Sequence, residues 1–125
     1  MSRQRILVCG SRDWSNEKVI RDRLNESLSA IVIHGGADGA DKMAAKAAYA
    51  LSMHSAEMRP LWGQFGKQAG YLRNCAMLDL EPDLVIAFST GSRGTQMTID
   101  EARKRGIPVE IHGTELVIRD KGEHR

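Results

Sequence analysis

The sequence predicts an α/β domain: a three-layer sandwich with a mainly parallel sheet of about five strands and helices on both faces. Three observations carry this. Short, almost wholly apolar runs recur at residues 5–9, 30–34 and 83–88. Segments with apolar residues at helical spacing lie between them. Corners rich in Gly, Ser and Asp close three of the strands. A strand that is apolar on both faces belongs in a sheet covered on both sides. Alternation of strand and helix makes that sheet parallel.

The elements follow in order. Arg5-Ile6-Leu7-Val8-Cys9 is the first strand and stops at Gly10. Ser15 or Asn16 caps the next helix, where Ile20, Leu24 and Leu28 recur every fourth residue and Arg21, Asp22, Arg23 and Glu26 fall mostly opposite. Ala30 to His34 is the second strand, closed by Gly35-Gly36. A second helix runs from about Gly39 to Met53, and its stripe of Met43, Ala44, Ala47, Ala48 and Leu51 is small enough to lie close to a sheet. His54 to Arg59 is a weaker third strand, stopped by Pro60. Residues 61–65 read as a loop, and a third helix spans about Gly66 to Leu78. Pro82 interrupts before the fourth strand, Asp83 to Phe88. The fourth helix covers about Thr95 to Arg105 and ends at Gly106. Val109-Glu110-Ile111 is the fifth strand; Glu115 to Ile118 can add a short edge strand, and a solvated tail is expected from about residue 119.

Composition narrows the function classes. A chain of 125 residues builds one core, so residues 1–125 read as a single domain. With 42% hydrophobic and 27% charged residues it is not globally disordered. No apolar run approaches the ~18 residues of a membrane span, and no signal peptide is read, so a cytoplasmic protein is expected. Cys9 and Cys75 read as two reduced core thiols, and no Cys/His cluster has metal-site spacing. Neither a metal nor a cofactor is therefore expected. A net charge of +2 is too small for a dedicated nucleic-acid binder, so nucleic acid is not an expected partner.

Ligands of open α/β sheets bind beyond the carboxyl ends of the strands. Here the first strand is followed by Gly10-Ser11-Arg12-Asp13-Trp14, the second by Gly35-Gly36-Ala37-Asp38-Gly39-Ala40-Asp41, and the fourth by Ser89-Thr90-Gly91-Ser92-Arg93-Gly94-Thr95. A parallel sheet brings all three to one edge. Glycines let the backbone approach a ligand, and the helices that follow offer amides and a positive dipole end. Ser11, Ser92 and Thr95 add hydroxyls, and Arg12 and Arg93 add forked cations. Thr95 caps its helix or meets the ligand; Asp41 caps, pairs with a cation or meets a ribose hydroxyl. The spacing is neither that of the phosphate loop ending in Gly-Lys-Ser/Thr nor that of Gly-x-Gly-x-x-Gly, which disfavours an ordinary ATPase or dehydrogenase. A fourth cluster, Gly66, Gly70, Arg73, Asn74 and Met77, lies near one helical face. Its two glycines either clear room for a ligand or let the helix close on the sheet. Trp14 and Trp62 fall in loops near the same edge, as base-stacking or core-covering side chains.

Taken together, these motifs resemble the YspA-type branch of the SLOG superfamily. The resemblance runs from Gly10-Ser11-Arg12-Asp13-Trp14 through His34-Gly35-Gly36-Ala37-Asp38-Gly39-Ala40-Asp41 and Gly70-x-x-Arg73-Asn74-x-x-Met77 to Phe88 and Gly94-Thr95, covering roughly residues 5–111. It implies a Rossmann-like fold related to the LOG phosphoribohydrolases and to the DNA-processing protein DprA, in a bacterial or phage protein that forms a dimer or higher homo-oligomer. It also implies a nucleotide or nucleotide-derived ligand, with phosphate and ribose at the Gly35-Gly36 turn and the Gly94-Thr95 turn and with Arg73 against the nucleotide. From their place in the same clusters, Gly10, Ser11, Arg12, Ala37, Asp41, Asn74, Gly91 and Ser92 are expected to join them at the ligand. The sequence departs from LOG enzymes where their paired glutamates fall, because Met97 and Thr98 stand there. The expected function is therefore binding, as a sensor, sequestering or processing protein. Two alternatives stand beside it: a nucleoside-phosphate N-glycosidase, with Asp41, Asp100 and Glu101 as candidate carboxylates and Asp13 more remote, and DprA-like binding of single-stranded DNA.

Overall fold

A computed structural model of the chain describes residues 3–113 and 117–120. The strands are β1 (Arg5–Gly10), β2 (Ile31–His34), β3 (Ser55–Glu57), β4 (Leu84–Phe88), β5 (Val109–His112) and β6 (Val117–Asp120). The helices are α1 (Glu17–Leu24), α2 (Ala40–Ala50), α3 (Trp62–Phe65), α4 (Ala69–Asp79) and α5 (Arg93–Lys104). The strands form one six-stranded sheet in the order β3-β2-β1-β4-β5-β6. All neighbours are parallel except β5 and β6. The expected Rossmann-like α/β sandwich is the fold observed.

Alternation along the central strands divides the core into two halves. Ile6 and Val8 of β1, with Ile86 and Phe88 of β4, pack against Ile20 and Leu24 of α1 and the alanines of α2. Leu7, Cys9, Val85 and Ala87 face the other way, onto Met77 and Leu78 of α4 and Ile99 and Ala102 of α5. Burying both faces is why the strands read as unbroken apolar runs. β3 is the exception: all three of its residues are exposed at the sheet edge.

The structure corrects four expectations. The edge strand expected at Glu115 to Ile118 is present as β6, but it extends through Arg119 and Asp120, where a tail was expected; residues 115–116 of that strand and 121–125 of that tail lie outside the described residues. It runs antiparallel because the link from His112 to Val117 is far shorter than the dozen or so residues a parallel crossover needs. Leu28 is not part of the α1 stripe: α1 ends at Leu24, a 3₁₀ turn spans Asn25–Ser27, and Leu28 is 51% exposed. Residues 62–65 are helical, and the third predicted helix is broken rather than continuous from Gly66. Gly66 has φ +58°, outside the right-handed helical region, so α3 ends on it and α4 begins at Ala69 after a 3₁₀ turn. α5 starts at Arg93, with Ser92 as its first flanking residue, two residues earlier than expected.

Candidate functional site

The strand order creates the site. From β1 the chain goes to β2 on one side, whereas β4 lies on the other side of β1 and leads to β5. The connections leaving β1 and β4 therefore diverge, and such a reversal opens a crevice at the strand carboxyl ends. A hollow of about 780 Å³ lies there. Gly10, Arg12 and Asp13 line it from the corner after β1, and Ala37 and Asp41 from the corner after β2. Thr90, Gly91, Ser92, Gly94 and Thr95 line it from the corner after β4. Gly70, Arg73, Asn74 and Met77 complete it from α4, on the single helical face their spacing predicts.

The β4 corner supplies the anion-binding end. No side chain caps α5, and among the described residues no acceptor meets the first-turn amides of Arg93, Gly94 and Thr95. Open amides at a helix start carry the positive end of the dipole. A hydroxyl chain steadies the corner. The Thr90 amide donates to Ser11 Oγ at 2.9 Å, Ser11 Oγ donates to Ser92 Oγ at 2.9 Å, and Ser92 Oγ donates to Thr95 Oγ1 at 2.7 Å. Ser11 is thus a buried tie between the β1 and β4 corners and does not line the hollow.

The β2 corner is built differently. Asp41 Oδ2 accepts from the amides of Gly35 (3.0 Å) and Ala37 (3.3 Å), and the Gly36 amide donates to His34 Nδ1 at 3.1 Å. Gly35 and Gly36, expected at the ligand, do not line the hollow because their amides are already taken inside the protein. Gly35 has a second use. Arg73 Nη1 donates to its carbonyl at 2.7 Å, and the guanidinium lies where a Cβ on residue 35 would stand. The bare Cα is what lets Arg73 lie flat there. Arg73 Nε donates to Asn74 Oδ1 at 2.7 Å, so the predicted pair acts as one unit.

Charge and burial tune this corner. Burial pushes the Asp41 carboxyl up to about 6, against the pull of the Ala37 amide, Arg73 and the Gly35 amide. Burial lowers Arg73 and His34; nearby Asp41 opposes this at Arg73, and Glu57 opposes it at His34. Burial, with Asp41 beside it, raises the Cys9 thiol far above its ordinary value, so Cys9 is an inert wall of the hollow.

The remaining predicted residues divide clearly. Of the three candidate carboxylates only Asp41 reaches the hollow. Asp100, exposed, accepts from Gln96 at 2.9 Å, and Glu101 accepts at 3.1 Å from Arg105, which also pairs with Asp79 of α4; neither lines the hollow. Trp14 is 5% exposed, packs its ring at a tilt against Phe88 and donates to the Asn16 carbonyl, so it covers the core. Trp62 is 52% exposed and stands at the rim. The Trp62 ring edge lies 3.5 Å from where a Cβ on residue 70 would be, an ordinary contact distance, so a small side chain there would fit against Trp62. Tyr71, Met97 and Thr98 also line the hollow and were not singled out as ligand contacts. Thr98 stands three residues after Thr95, a helical spacing that would have revealed it. Among the described residues no cluster of three or more His, Cys, Asp or Glu can hold a metal ion, and no helix is long and apolar enough to cross a membrane.

Comparison with known proteins agrees with this architecture. Residues 4–65 match the family described as YAcAr: YspA, cpYpsA-related SLOG family. The Gene 61 protein of Mycobacterium phage D29 is 37% identical over 117 residues, covering 85% of this chain and 94% of the relative. Among solved structures, DNA processing protein A (DprA) from Streptococcus pneumoniae superposes with a TM-score of 0.71 at 21% identity. That match covers 87% of this chain but only 50% of the DprA chain. TM1055, a structural-genomics target, superposes with a TM-score of 0.66 at 20% identity, covering 85% of this chain and 72% of the other. Likenesses at these identities establish the shared fold alone. The match over residues 4–65 and the full-length phage relative carry the assignment: the chain belongs to the YspA, cpYpsA-related SLOG family.

Proposed function

We propose that the hollow binds a nucleotide or nucleotide-derived ligand, and that the protein acts as a sensor, sequestering or processing protein. One observation carries the reading. The uncapped first turn of α5, Arg12 and Arg73 all address the same hollow of about 780 Å³, within the ~300–1,000 Å³ usual for small-molecule sites. Phosphate lies at Gly91, Ser92, Gly94 and Thr95 with Arg12; the sugar lies toward Asp41, with Arg73 and Asn74 alongside; and the base lies against Trp62. A thermal-shift screen with nucleoside mono-, di- and triphosphates tests this. A ligand present at about 100 times its Kd adds roughly 2.7 kcal/mol of stability. Arg73→Ala is expected to abolish that shift. Absence of a shift with every nucleotide rejects the reading.

A second reading, N-glycosidic hydrolysis, is favoured by Asp41. A carboxyl held near 6 inside the ligand hollow suits acid–base work or the stabilisation of a cationic sugar. Release of free base from a nucleotide, lost in Asp41→Asn, supports it. The expectation against nucleic acid gains no support from the likenesses, one of which is to a DNA-processing protein. Salt-sensitive binding of a labelled single-stranded oligonucleotide decides that point. We also propose self-association through the exposed Leu61, Trp62 and Phe65 of the α3 region and Tyr71 and Leu72 of α4, read out as a dimer mass by light scattering.

A further inference from the structure

We infer that the site has a second compartment for a neutral, hydroxyl-rich group joined to the ligand's phosphates, which makes nucleoside diphosphate sugars its ligand class. The inference rests on the nucleotide reading and extends it.

A smaller hollow of about 240 Å³ adjoins the main one on the α1 side. Trp14, Ser15, Asn16 and Val19 line it together with Gly113. Asp13 and Thr90 face both hollows. Where the two meet, Thr90 Oγ1 donates to Asp13 Oδ1 at 2.7 Å, a hydrogen bond between two exposed side chains. A ligand passes over it without displacing core. The smaller hollow is below the ~300 Å³ of a whole small-molecule site, so it suits part of a ligand.

Its chemistry differs from that of the main hollow. Arg12, Arg73 and the α5 amides all address the main hollow. Among the described residues no cation lines the smaller one, and Asp13 places a carboxylate at its mouth. A phosphate would be repelled there. Asn16 Oδ1 accepts from the Val19 amide at 3.2 Å and its backbone carbonyl from the Trp14 indole at 3.0 Å, so of its polar groups the Nδ2 amide is the one left to address a ligand. That leaves the Asp13 carboxylate, the Thr90 and Ser15 hydroxyls and the Asn16 Nδ2 amide as a polar rim, with Trp14 and Val19 adding apolar lining. Such polar groups beside aromatic and aliphatic lining match a sugar ring, which carries hydroxyls on its edge and C–H bonds on its face. A phosphate at Thr90–Thr95 stands next to Asp13 and Thr90, so a sugar on its far side reaches this compartment directly.

Isothermal titration of the full chain with ADP, GDP and UDP, and with ADP-ribose, GDP-mannose and UDP-glucose, tests the inference. For a base that binds, the sugar derivative is expected to bind about tenfold tighter than its diphosphate, a difference of roughly 1.4 kcal/mol. Ser15→Trp fills the smaller hollow from an exposed position and is expected to cancel that gain while leaving diphosphate affinity within about twofold. Diphosphates that bind as tightly as their sugar derivatives overturn the second compartment and leave the nucleotide reading standing. So does a Ser15→Trp variant that weakens both ligands alike, or neither. If none of the six compounds binds, the nucleotide reading fails and this inference falls with it.

Discussion

At the corner after β2, the amides of Gly35, Gly36 and Ala37 are held by Asp41 and His34, and α2 begins with Ala40 bonded to the Ser11 carbonyl and Lys42 to the Ala37 carbonyl. At the corner after β4, the first turn of α5 keeps its amides open toward the hollow. Both corners carry glycines, follow a buried strand and lead into a helix. What separates them is a single acid, because Asp41 stands in the first turn of α2 and folds back onto its own loop. No acid stands in the first turn of α5. The comparison teaches that a glycine-bearing strand–helix corner offers two outcomes. With an internal carboxylate it becomes a rigid scaffold; without one it stays open to an external anion.

Asp41→Ala should have the largest effect. It leaves two loop amides without their acceptor, and losing such charge-assisted bonds costs about 3 kcal/mol. Urea unfolding at neutral pH measures it; a loss under about 1 kcal/mol would show that the scaffold does not depend on Asp41.

The pH dependence of stability comes next. The Asp41 carboxyl sits at about 6 in the folded protein, above its ordinary value of 3.8, so the native state holds a proton that the unfolded chain has lost. Stability from this group is fully present below about pH 4 and is lost as pH rises through 6, by roughly 2–3 kcal/mol. Glu110 acts in the opposite sense. Burial raises it, but His112, Arg23 and Arg119 outweigh burial and bring it down to about 2, so its contribution is lost as pH falls from its ordinary 4.5 toward 2. Asp41→Asn should flatten the decline between pH 4 and 6 and leave the acid limb unchanged. A decline that survives the substitution assigns it to another group.

Gly35→Ala should cost about 1–2 kcal/mol, because its methyl group meets the Arg73 guanidinium. Nucleotide affinity should fall with it as Arg73 is displaced. Affinity unchanged beside a measured stability loss would separate Gly35 from Arg73. Gly94→Ala completes the contrast as the smallest change. A Cβ there meets nothing within 4 Å, and alanine favours the helix, so stability should rise by up to about 1 kcal/mol. A nucleotide-induced thermal shift that is unchanged in Gly94→Ala would move the phosphate away from the α5 turn.

Local pattern made much of the molecule legible. The four principal strands and the α4 face of Gly70, Arg73, Asn74 and Met77 stand where spacing predicts, since period 2 and period 3.6 are set by the backbone itself. Where a residue's role depends on a distant partner, the reading was incomplete. Trp14 and Trp62 look equivalent in sequence, yet one reaches Phe88 in the core and the other stands at the rim. The break at Gly66 depends on a left-handed backbone state that glycine permits but does not require. Asp100 and Glu101 were indistinguishable from ligand contacts until α5 was oriented on the sheet.

By itself, the sequence determined the α/β class, the parallel order of the elements and the convergence of three corners on one edge. Those follow from burial patterns and chain connectivity, which are local. Only the tertiary structure decided which amides stay open and which carboxylate enters the hollow. A buried polar group is satisfied by whatever the fold brings within about 3 Å, and the partners that matter here, Gly35 with Arg73 and Ser11 with Ser92, are far apart in the chain.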